Sequence, residues 1–149
     1  TLCNIMTDAP DNKFRRPIDV KYIGRFSLPV LWAGIICWLS LTSTPPLIQG
    51  PLGWDKLLHA AAYALLTVTI AQYLHIHCAE SWKAGFYAAC LAIVYGGLME
   101  IMQLATQTGR IAEWQDLVAD AVGSVAGCVI FRQAIVLISQ HHARKQAHG

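Results

Sequence analysis

From Phe26 to Trp54 the chain carries no Asp, Glu, Lys or Arg, and three further stretches almost free of charge follow it. A helix needs about 20 mostly apolar residues to cross the hydrocarbon core of a bilayer, so each stretch is a candidate span. The run Leu28–Leu41, extended by Thr42, Ser43 and Thr44 and stopped by Pro45 and Pro46, supplies the first. Leu57–Leu74 supplies the second and Ala84–Gln103, apolar until Glu100, the third. Leu117–Ser139, interrupted by Asp120, Arg132 and Gln133, supplies the fourth. A chain of 149 residues has space for four spans with their connections but not for six. The sequence therefore predicts an all-α integral membrane bundle of about four transmembrane helices. Residues 1–26 form a polar, basic tail, 27–139 the transmembrane domain and 140–149 a second tail. The polar stretch before the first span, with no small-residue cleavage site after it, predicts that this span stays as an anchor.

Composition excludes the other classes. Charged residues make up 13% of the chain, against about 25% in ordinary soluble domains. Too few charges are present to cover a soluble enzyme domain, and a hydrophobic content of 55% excludes a disordered chain. A net charge of +2, with no basic block beyond the N-terminal tail, leaves nucleic acid out as a partner. The five cysteines show no C-x-x-C spacing and read as small hydrophobes. His75, His77 and Cys78 read as a polar cluster at a span end rather than half of a metal site, and His141, His142 and His148 as part of a disordered tail.

Lys and Arg set orientation, because cationic loops resist translocation. Nine of the eleven lie in the N-terminal tail, the second connection and the C-terminal portion. Only Lys56 and Arg110 fall on the other side, so both termini are expected in the cytoplasm. That other side also collects five acids, Asp55, Glu100, Glu113, Asp116 and Asp120.

These acids fall into patterned stripes. Asp55, His59 and Tyr63 recur every four residues at the start of the second span and share one helical face. Glu100 and Gln103, three apart, end the third span just after Gly96 and Gly97, a pair expected to let another backbone approach. Asp116, Asp120, Gly123 and Gly127 put two carboxylates and a G-x-x-x-G contact surface on one face of the fourth. Arg110, in the third connection, can fork onto these carboxylates or onto a substrate phosphate or carboxylate. A charge inside a membrane costs about 2.5–3.5 kcal/mol at a helix centre on the insertion scale, so each needs a partner or a task.

The order D-K-x-x-H (Asp55, Lys56, His59), E-x-x-Q (Glu100, Gln103) and R-x5-D-x3-D-x2-G-x3-G (Arg110, Asp116, Asp120, Gly123, Gly127) resembles the VanZ-like family of small bacterial membrane proteins. Where the family pattern usually has Asn, this chain has Asp120. The family takes its name from a protein linked to resistance to the glycopeptide teicoplanin, while most of its members lie outside resistance clusters. The resemblance thus implies an inner-membrane protein with a role in the cell envelope.

The first functional reading is a site for the head group of a membrane lipid or lipid-linked cell-wall precursor, made by Asp55, Lys56, His59, Glu100, Gln103, Arg110, Asp116 and Asp120. A membrane-embedded enzyme is the alternative, with the carboxylates and His59 as acid and base or around a divalent cation. No catalytic signature is present, so no catalytic residue, cofactor or metal site is assigned. A purely structural polar plug is the third reading and an ion-coupled transporter the last. An oligomer stays open as an alternative, while the G-x-x-x-G face can already be used within the monomer.

Overall fold

The computed structural model of the protein describes residues 20–42, 54–76, 80–106 and 114–147. These form four helices: α1 (Val20–Leu41), α2 (Trp54–Leu74), α3 (Ser81–Thr106) and α4 (Trp114–Ala147). No strand occurs among the described residues. α2, α3 and α4 are each long and apolar enough to cross a membrane, and α1 adds a shorter apolar stretch, Phe26–Leu41.

The bundle is sorted inside out relative to a water-soluble globule. Leu65, Leu91, Val94, Leu98, Val122 and Ile130 are all exposed, each by 45% or more. The interior sets many small residues against a few large ones, with Ala71, Ala84 and Ala88 around Phe131 in one cluster and Ala92 with Ile36, Tyr63 and Leu66 in another. Apolar surface gains nothing by turning inward when lipid is the solvent. Close packing and polar contacts then drive helix association.

The tightest packing is between α2 and α4, with α3 next to both and α1 at the edge against α2 and α3. A side chain at Gly123 would run into the carbonyl of Ala60, and one at Gly127 into that of Ala64. The pairing order, Ala60 with Gly123 and Ala64 with Gly127, shows that α2 and α4 run parallel, both starting at the same end of the bundle. α3 runs against them: Gly96 lies beside Asp120, and Gly85 beside Cys128. Gly97 corrects the sequence expectation. A Cβ there meets nothing within 4 Å, because it points off the packed face that its neighbour Gly96 occupies.

Side-chain hydrogen bonds hold α1 in place. Trp32 Nε1 donates to the Ala62 carbonyl at 2.9 Å, Tyr95 Oη to Ala33 at 2.7 Å and Gln103 Nε2 to Ser40 at 3.1 Å. Interhelical bonds of this kind average about 0.6 kcal/mol in a membrane bundle. The double variant Tyr95→Phe, Gln103→Leu should therefore lower the thermal midpoint in detergent by about 3 °C. An unchanged midpoint would show that these ties do not hold the helix.

At the opposite end, Glu80 precedes α3 and accepts from Trp82 Nε1 at 2.5 Å and Lys83 Nζ at 3.1 Å. These bonds, the one from Lys83 foremost, hold its carboxyl below the usual range. α4 is also longer than the sequence suggests. It stays helical through His141 and His142 to Ala147, where a disordered tail was expected. Its 34 residues make a rod of about 51 Å, well beyond a hydrocarbon core of about 30 Å. Polar composition marks where such a helix leaves lipid, not where it stops.

Candidate functional site

Because α2 and α4 start together, the positive ends of two helix dipoles lie side by side. Each carries an acid in its first turn, Asp55 on α2 and Asp116 on α4, which offsets that charge. The glycine crossing brings the next turns into contact. Just before this crossing, at the residue preceding Ala60 and one turn before Gly123, His59 Nδ1 lies 2.9 Å from Asp120 Oδ1.

Five of the residues singled out in the sequence converge here. Lys56 Nζ pairs with Asp116 Oδ1 and lies 3.8 Å from Asp55 Oδ2. His59 stands between the two acids of α4, with Nε2 3.9 Å from Asp116 Oδ2 and Nδ1 on Asp120. A proton on Nδ1 donates to the Asp120 carboxylate and leaves Nε2 facing Asp116. Asp120 is 1% exposed and is seated by α3: a Cβ on Gly96 would lie 2.8 Å from its Oδ2. Glycine at 96 is thus the space that the carboxylate fills. Ser124 Oγ donates back to the Asp120 carbonyl at 2.7 Å.

The network grades from closed to open. Asp116 and Asp120 are buried, whereas the side chains of Lys56 and Asp55 are 30% and 44% exposed. Within this set three carboxylates share one ammonium and one imidazole. Asp55, His59 and Asp116 also offer one ligand atom each, all within 4.8 Å of one another, an arrangement able to take a divalent cation. Such an ion would compete with Lys56 for Asp116.

Gln103 and Glu100 lie on α3, outside this set of contacts. Gln103 is buried and spends its amide on the Ser40 carbonyl, which makes it a tie between α3 and α1 rather than a donor in the cluster. Glu100 is half-buried on α3, one turn before Gln103, with Oε2 shielded from solvent. Arg110 and Glu113 fall outside the described residues, as do His77 and Cys78. His75 packs edge-on to Phe131, ring centroids 5.7 Å apart. Tyr63, the third member of the α2 stripe, is 2% exposed and packs near Tyr95, where it forms the floor beneath the cluster.

The VanZ/LLP1 family profile matches residues 18–138. The chain belongs to the VanZ/LLP1 family. The match takes in the helices that build the polar cluster and reaches back over α1, which the sequence motifs alone did not include. Comparison with curated proteins and with solved structures gives no match. VanZ/LLP1 membership and three apolar helices of spanning length together make this a membrane protein.

Proposed function

We propose that this VanZ/LLP1 protein is a multi-pass protein of the bacterial inner membrane. Both termini lie in the cytoplasm, and the common end of α2 and α4 faces outward as a binding site for the head group of an envelope lipid or lipid-linked wall precursor. Orientation is supported by the nine-to-two division of Lys and Arg. The role in the envelope is in keeping with the family, whose naming member connects it to teicoplanin resistance.

The observation that carries the reading is the graded network itself. A structural plug needs its charges matched and sealed. This cluster opens through Lys56 and Asp55, whose side chains are 30% and 44% exposed, at the shared end of α2 and α4. Buried Asp116 and Asp120 fix Lys56 and His59 in place, so the donors are oriented before a ligand arrives.

Native mass spectrometry of protein extracted with its own lipids tests this. Wild type should retain a defined lipid or lipid-linked species, and Lys56→Ala and Arg110→Ala should lower its occupancy at least about fivefold, roughly 1 kcal/mol of affinity. The same non-specific lipid in all three proteins, or none, would leave the polar plug as the better account.

A further inference from the structure

The two ring nitrogens of His59 meet different surroundings. Nδ1 lies 2.9 Å from Asp120 Oδ1, on a carboxylate that is 1% exposed and seated against Gly96. Nε2 is left to face Asp116 Oδ2 at 3.9 Å, beyond hydrogen-bond range. Asp116 gives its other oxygen, Oδ1, to Lys56. Two bonds of about 2.0–2.2 Å to one shared ion bridge a gap of this size. An imidazole whose far nitrogen is held by a buried carboxylate is also the arrangement that fixes the tautomer and aim of a metal-binding histidine.

A third ligand comes from the same face of α2, one turn earlier. Asp55, His59 and Asp116 each place a ligand atom within 4.8 Å of the other two. Side-chain exposure falls from 44% at Asp55 to 12% at His59 and 7% at Asp116. The inner two are thus held by packing, while the outer carboxylate has the freedom to close on an ion by about 1 Å. Asp55 and His59 also line the polar end of a groove of about 560 Å³ between α1 and α2, walled further along by Trp32, Ile36, Leu58 and Leu65. That opening gives a fourth position to water or to a ligand oxygen, as at zinc sites with three protein ligands. One imidazole with two carboxylates suits zinc and its first-row neighbours, whereas calcium and magnesium take oxygen donors alone.

We infer that His59, Asp116 and Asp55 form a site for a divalent transition metal at the shared start of α2 and α4, with Asp120 as the positioning carboxylate behind His59. Lys56 is the competing cation. It pairs with Asp116 Oδ1 and lies 3.8 Å from Asp55 Oδ2, so an ion on Oδ2 shares one carboxylate with the ammonium. The ion also ties the two helix starts together next to their glycine crossing. The inference stands apart from the head-group reading, and Lys56 separates the two: it donates to a head group but opposes a metal.

The test uses the full chain in detergent, stripped with a chelator, and zinc alone as the probe. Affinity is read by competition with a chromogenic chelator, and the thermal midpoint is followed in parallel. Wild type should bind one zinc ion with a Kd of about 1 µM or below and gain about 5 °C at a hundredfold excess over Kd. Asp55→Asn and Asp120→Asn should each weaken binding about tenfold or more. Lys56→Met should tighten it about tenfold, because a like charge leaves the site. Midpoints without zinc identify any variant that fails to fold, and each Asp variant decides alone. No saturable equivalent in wild type would overturn the inference. Zinc held equally by wild type, Asp55→Asn and Asp120→Asn would overturn it as well, as binding by other histidines such as His141 and His142. So would a Lys56→Met protein that binds zinc no more tightly than wild type. If zinc does not bind while lipid retention still depends on Lys56, the metal site falls and the head-group reading stands.

Discussion

A Gly123→Val protein should fail to give a monodisperse bundle in detergent, or melt at least about 10 °C below wild type. The added Cβ would fall onto the backbone of Ala60, within 2.7 Å of its carbonyl carbon and Cα and closer still to its oxygen. A flexible side chain can swing away from such a clash, but a helix backbone cannot. Ordinary overpacking costs about 1–3 kcal/mol. Here the only relief is to separate α2 from α4, the pair on which the rest of the bundle is built. That separation also pulls His59, the residue next to Ala60, from Asp120, so a packing defect becomes a broken polar network. A loss of 3 kcal/mol or more corresponds to about 10 °C in a chain of this size. Gly97→Ala is the control. Its methyl meets only open space, and alanine is the better helix former by about 1 kcal/mol, so its midpoint should equal or exceed wild type. A Gly123→Val protein with a wild-type midpoint would show that the two helices do not cross at this point.

The next largest effect should come from Asp120, and its direction depends on what replaces it. Asp120→Ala removes the acceptor of His59 and leaves a small void beside Gly96 in a region closed to solvent. A buried polar group left without its partner costs about 1–3 kcal/mol, which places the midpoint roughly 6 °C below wild type. Asp120→Asn keeps an oxygen able to accept from Nδ1 and keeps the volume against Gly96. It should stay within about 2 °C of wild type. Asparagine is also what the VanZ-like pattern usually carries at this position, so the site is expected to accommodate the amide. If Asp120→Asn falls as far as Asp120→Ala, the charge of Asp120, rather than its hydrogen bond, holds His59.

Much of this arrangement is legible in the sequence because lipid enforces a local rule. A helix that crosses a bilayer must be apolar over its whole length, so the absence of charge in Leu57–Leu74 locates α2 without knowledge of its neighbours. The i, i+4 recurrence of Asp55 and His59, and of Asp116 and Asp120, likewise fixes which face carries the acids. What stays hidden depends on relations between helices. Gly96 and Gly97 are equivalent in sequence, and only the position of α4 makes one a seat for Asp120 and leaves the other idle. Gln103 resembles a site donor until α1 is in place to offer the Ser40 carbonyl. The α1–α2 groove has no local signal at all, since its walls are ordinary span residues and its existence depends on how far apart two helices lie.

The small residues of the interior have a consequence for how the bundle assembles. Ala71, Ala84, Ala88, Ala92, Gly96, Gly123 and Gly127 have no rotamers to give up, so bringing these helices together freezes little side-chain freedom. Weak contacts can then hold a definite structure, because the disorder they must overcome is small. The same economy inverts the usual map of mutational tolerance: leucines and valines on the outside can exchange with one another, while Gly123 and Gly127 at the α2–α4 crossing have no room for a single added methyl group.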